Sequence, residues 1–204
     1  MSDYRGLYIG DAPEGADDAA ILALEARLGT SLPEDYRKFL QSCNGAELEY
    51  DVLAILANGE EEILSFTLYG VDPSEDWGFN PFELRQLQRQ PGFPENGMLP
   101  IGRDGGLSLL LLDLRDGRQE VGAMVAGLPG CGQQEDEYVV LSASFNGYLD
   151  KLFLSQATIV NHINRFIISP ENIVWTLDWL DRASSGWREL YRMHWNARVV
   201  EHPI

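Results

Sequence analysis

Three histidines, His162, His194 and His202, are the side chains best suited to hold a metal or pass a proton near neutral pH, and all fall late in the chain. No His-x-x-x-His or Glu-x-x-His pair occurs among them. Helical spacing therefore brings no two ligands to one face, and no metal is expected. His162 lies within an apolar helical stretch, which points to a capped core or interfacial residue. Cys43 has no neighbouring base and precedes Asn44-Gly45 at the end of a helix, where the dipole disfavours a thiolate, so a buried structural thiol is expected. Gly102-Arg103-Asp104-Gly105-Gly106 has the glycines of a phosphate-binding loop. It lacks the GxxxxGK[ST] spacing, however, and leads into a strand rather than a helix start, which favours turn geometry. No GxSxG elbow is present. These residues anchor no catalytic constellation and call for no cofactor, so a protein that is not an enzyme is expected.

The acids remain as candidates. Glu60, Glu61 and Glu62 are consecutive, while Asp72, Glu75 and Asp76 stand beside Trp77 and Phe79. A solvated turn and a solvated loop would account for both groups. Tryptophan among acids also suits a recognition surface, because aromatic side chains anchor interfaces and charge sets the association rate. The chain of 204 residues carries 32 acids against 15 Lys and Arg, a formal charge of −17. Such a molecule repels a phosphate backbone or an anionic membrane surface, so no nucleic acid and no membrane are expected as partners, and a cationic partner stays open. The acidity is uneven: residues 1–80 hold 17 acids and four bases, whereas residues 151–204 hold five acids and six bases.

Certain elements must position these residues. With 45% apolar residues the chain lies outside the composition of disorder, and its length suits one domain, or one with an extension. No apolar run resembles a signal peptide or a membrane span, so a soluble cytoplasmic protein is expected. Cys43 and Cys131 are the only cysteines, and free thiols are favoured over a bridge. Asp17 and Asp18 precede Ile21, Leu24 and Leu28 at helical spacing, with Gly29 as terminal cap. Ser31 is the expected N-cap of a second helix bearing Tyr36, Phe39 and Leu40 on one face. Val52 to Leu56 and Ile63 to Leu68 are strands or short helical pieces divided by Asn58-Gly59. A helix is expected from Pro81 to about Gln90. Leu99–Gly102, Leu107–Leu114 and Gln119–Val125 then read as a β-meander through Asp-Gly turns. Another helix is expected over Ser142–Leu154. The tail beyond it holds four of the five tryptophans, with Trp175 and Trp179 on one helix face, as core or dimer packing.

Leu24-Glu25, Leu32-Pro33-Glu34-Asp35-Tyr36, Phe39-Leu40 and Asn44-Gly45 resemble the first block of the Smi1/Knr4 family of the SUKH superfamily. Leu99–Gly102 with Asp104-Gly105-Gly106, the strand reaching Asp113, and Ala143-Ser144-Phe145 followed by Tyr148, Leu149 and Leu152 resemble its later blocks, in the same order. Ala46 stands where the family usually has a second glycine. The resemblance covers residues 17–154. It implies an α+β fold of helices on a mostly antiparallel sheet. Outside it, residues 1–16 are expected as a lead-in and residues 155–204 as a Trp-rich helical extension packed on the same domain. The resemblance also implies a noncatalytic binding function, as an immunity protein that neutralises a bacterial toxin or, alternatively, as an intracellular regulator or scaffold. A basic, nuclease-type toxin suits the acidic surface. Glu60, Glu61, Glu62, Asp72, Glu75, Asp76 and Trp77 are the candidate partner-binding residues.

Overall fold

A computed structural model of the chain describes residues 2–9, 14–71, 97–127, 135–165, 170–199 and 204. Helix α1, Asp18–Leu28, starts and stops where the sequence marks it: Asp17 Oδ1 accepts the Ala20 amide at 2.7 Å, and Gly29 adopts a left-handed φ of 69°. Helix α2, Glu34–Ser42, has Pro33 rather than Ser31 at its N-cap. Glu25 of α1 holds the Leu32 amide at 2.8 Å, which keeps the chain extended until Pro33.

Six antiparallel strands follow in sequence order across one sheet: β3 (Ala46–Ile55), β4 (Glu61–Leu68), β5 (Met98–Arg103), β6 (Leu109–Asp113), β7 (Val121–Val125) and β8 (Glu137–Ser142). The ambiguous run at Val52 is therefore a strand. Its inward side chains, Val52 and Ala54, join Phe66, Ile101, Leu110 and Ala123 in the main core, against Ile21, Tyr36 and Phe39 of the helices. The expected helix at residues 81–90 lies outside the described residues.

The helix expected over Ser142–Leu154 is much shorter. β8 takes its first residue, Ser144 caps α3 (Phe145–Leu149) by accepting the Gly147 amide at 3.1 Å, and the chain then leaves the helix. Phe153 instead exchanges backbone hydrogen bonds with Asp51, at 2.8 and 3.0 Å, on the outer edge of β3. An edge strand has unpaired backbone groups to satisfy, and this bridge satisfies them at Asp51.

Four helices complete the described chain: α4 (Gln156–Arg165), α5 (Pro170–Ala183), α6 (Trp187–Leu190) and α7 (Arg192–Arg198). Trp179, Trp187 and Trp195 are wholly buried in the main core, so packing within the chain accounts for them. A short hairpin of β1 (Ser2–Tyr4) and β2 (Leu7–Ile9), which the sequence pattern did not reveal, meets these helices from the other end of the chain. The Tyr8 ring lies 5.4 Å from that of Trp175, and the Tyr8 amide donates to the Tyr50 hydroxyl at 3.1 Å. The two ends of the chain thus close together over β3.

Candidate functional site

Among the described residues, two sets of acidic side chains stand at opposite extremes, one tied into the fold and one free of ion pairs. Glu25 is buried between the Leu32 amide and the Arg37 guanidinium. Asp35 receives the Asn146 amide at 2.8 Å and so ties α2 to α3. Asp51 takes the Ser155 amide at 2.8 Å just before α4. Asp113 is wholly buried, held by Arg115 through Nε at 2.9 Å and through a terminal nitrogen at 2.8 Å, with Arg118 at 3.3 Å. The bond from Arg115 keeps the Asp113 carboxyl below the usual carboxylate range, against the opposing effect of burial.

Glu60, Glu61 and Glu62 form the second set. Glu60 ends the turn between β3 and β4, where its carbonyl accepts the Leu56 amide at 2.9 Å and its own amide donates to Asn58 at 2.9 Å. Glu60 and Glu61 are exposed and Glu62 is half-buried. None of the three carboxylates forms an ion pair with a described residue. Asp72, Glu75, Asp76 and Trp77 lie outside the described residues.

The strand register places apolar side chains directly beside these acids. On the outer face of the hairpin Ile55 lies opposite Glu61, Leu53 opposite Ile63, and Asp51 opposite both Ser65 and Phe153. Leu53, Ile55, Ile63 and Phe153 are between 37% and 59% exposed. Val52 to Leu56 is an apolar run, and its strand conformation gives it two faces. An unbroken apolar run in a strand means that both faces are apolar, and here the second face is not covered by described residues. Below Ile63 an open groove of about 600 Å³ separates the hairpin from α4, with His194 of α7 on its far wall.

The other sequence candidates resolve into structure. Asp104 Oδ1 accepts the amides of Gly106 at 2.8 Å and Ser108 at 3.0 Å, so a carboxylate already occupies the donors that an anion would need. Cys43 is buried at the end of α2. His162 is buried against Trp175 and Trp179, with Nε2 at 3.0 Å from Thr176 Oγ1 and Nδ1 at 2.7 Å from Glu49. Cys131 and His202 lie outside the described residues. Among the described residues no three His, Cys, Asp or Glu side chains gather as a metal ion requires, and no helix is long and apolar enough to cross a membrane.

The ordered blocks of the sequence converge on one scaffold. Asn44 grips Val71 through both its amide and its carbonyl oxygen, at 2.8 and 2.6 Å. Gly45 next to it has φ +87°, and a Cβ there would stand 2.7 Å from the Gly70 nitrogen. The conformational demand thus falls on the first glycine alone, which is why Ala46 is tolerated as the buried opening residue of β3. The model of the SMI1 / KNR4 family (SUKH-1) matches residues 15–151. The chain belongs to this family. No curated protein matches it. The SMI1/KNR4 match ends before α4 and begins after the β1–β2 hairpin. One wall of the groove, Ile63, is therefore within the family segment, and the other is contributed from outside it.

Proposed function

We propose that the chain is a noncatalytic protein-binding domain that acts as an immunity protein, engaging a basic toxin through the outer face of the β3–β4 hairpin. The observation that carries this reading is the run Glu60–Glu62, whose three carboxylates lack ion-pair partners among the described residues and stand beside the exposed Ile55 and Ile63. Family membership supports a binding role, and the net charge of −17 supports a cationic partner. Unpaired surface charge raises the rate of encounter with an oppositely charged protein, while apolar side chains beside it supply the affinity that surface charge alone lacks. Asp72, Glu75, Asp76 and Trp77, which follow β4 in sequence, are also proposed as partner-binding residues.

The gene's neighbourhood in its source genome should hold a toxin domain, whose absence would count against the immunity role, and co-expression with that domain provides the test. Cells should survive with the natural chain and die when Glu60, Glu61 and Glu62 are all replaced by Lys, although the triple variant folds. Full protection by that variant would remove the hairpin as the interface. Death of cells carrying the natural chain would remove the immunity role.

A further inference from the structure

An open groove lies beside Ile63. Its floor is aliphatic, made by Ile63 from β4 and by Ala157 and Val160 from α4, and it holds no charged side chain. Gln156, Asn161 and Asn164 of α4 also line it, the last two at the i,i+3 spacing that makes them neighbours on the helix. All three are exposed and form no hydrogen bond with a described residue. A side-chain amide offers both a donor and an acceptor, the combination that a peptide main chain presents in return. Pockets of a few hundred Å³ with an apolar floor and a few convergent polar groups are the usual form of a binding site, and this groove has about 600 Å³.

Negative charge stands on the hairpin next to the groove. Glu61 lies two residues from Ile63 on the same strand, so their side chains share one face, about 6.5–7 Å apart along β4. An extended peptide has that same repeat between alternate side chains. We propose that the groove docks an extended segment of the partner protein in which a Lys or Arg stands two positions from an aliphatic residue. The base reaches Glu61 and Glu60, the aliphatic side chain covers Ile63 and Val160, and the main chain between and beyond them bonds to the amides of α4. This rests on the reading of the acidic hairpin as the interface and adds the class of segment recognised, together with a contribution from α4, outside the family segment.

The test uses the full isotope-labelled chain and three acetylated hexapeptides built on serine and glycine: one with lysine and valine two positions apart, one with glutamate in place of the lysine, and one with serine in place of the valine. Titration with the first should shift the side-chain amide signals of Gln156, Asn161 and Asn164, and each control peptide should bind roughly fivefold or more weakly. Ala157→Trp, at an exposed helical position, fills the groove and should weaken binding of the first peptide by roughly tenfold. The double variant Asn161→Ala with Asn164→Ala serves if the tryptophan disturbs folding. Unmoved amide signals at millimolar peptide, or equal binding to the groove variants, would overturn the proposal. Binding that falls with Glu61→Gln and ignores both groove variants would overturn the groove while leaving the acidic interface standing. Toxin protection that survives reversal of Glu60–Glu62 would remove the interface itself.

Discussion

Asp113 and Glu61 lie on outer faces of the same sheet, yet the molecule treats their carboxylates in opposite ways. Asp113 is withdrawn from water and held by two arginines at the end of β6, whereas Glu61 is exposed on β4 without an ion-pair partner among the described residues. Glu25, Asp35 and Asp51 side with Asp113, since each closes a particular backbone amide. The net charge of −17 thus includes two contrasting populations among the described residues. One is committed to structure and has no capacity left for a partner. The other contributes little to folding, and its cost in mutual repulsion needs a reason outside the fold.

The comparison breaks most visibly at Asp113. Replacing it with Ala leaves Arg115 and Arg118 without their shared carboxylate and frees the Arg115 amide, which it also holds at 2.9 Å. The arginines left behind are partly exposed, so the loss is that of charge-assisted hydrogen bonds, about 2–3 kcal/mol, and the urea midpoint should fall clearly. The same chemistry fixes an acid limb. The folded Asp113 carboxyl titrates below its unfolded value of about 3.9, so its contribution is complete at neutral pH and is lost as pH falls through the folded value. Urea midpoints measured from pH 7 downward should decline less steeply at the acid end for Asp113→Asn than for the natural chain. Parallel declines would show that Asp113 is not a structural acid.

Glu49 is the intermediate case. It projects from β3 with its side chain 30% exposed, but it bonds to the buried His162 between Trp175 and Trp179. Glu49→Gln keeps a hydrogen-bond acceptor for His162 and removes the charge, so a loss of about 1 kcal/mol is expected from thermal or urea unfolding followed by tryptophan fluorescence. A loss as large as that at Asp113 would move Glu49 into the committed set.

Much of the scaffold could be read from the sequence because its signals are local. Asp17 and Gly29 mark both ends of α1, and Asp-Gly turns separate the strands of the meander. The β1–β2 hairpin escaped because three-residue strands carry no measurable alternation. Helix α3 was overextended because Leu152 and Phe153 continue its apolar spacing. What ends it is a bridge to Asp51, about a hundred residues away in sequence, and no local pattern encodes such a partner. The candidate surface was half legible for the same reason. Consecutive glutamates are visible in a sequence, but the exposure of Leu53, Ile55 and Ile63 depends on what covers the second face of the hairpin. The family motifs were the clearest sequence signal and proved to be structural, from the Glu25 bonds to the Asn44 clasp.

The smallest effect separates the two acid populations most cleanly. Replacing Glu60, Glu61 and Glu62 together by Gln removes no ion pair with a described residue, and the Glu60 turn is closed by backbone groups and Asn58, which the change leaves intact. Surface substitutions of this kind usually lie within about 0.5 kcal/mol. The sign carries the information. Three adjacent negative charges on a strongly acidic chain repel one another, so neutralising them should raise stability by a few tenths of a kcal/mol at low salt. Added salt screens the same repulsion, with a Debye length of about 10 Å at 0.1 M, and should erase the gain. A small stabilisation that vanishes with salt would mean that the natural chain keeps these acids at a cost to its own fold, as expected of residues retained for a partner. A loss of stability would instead place them among the structural acids, and the distinction between Asp113 and Glu61 would fail.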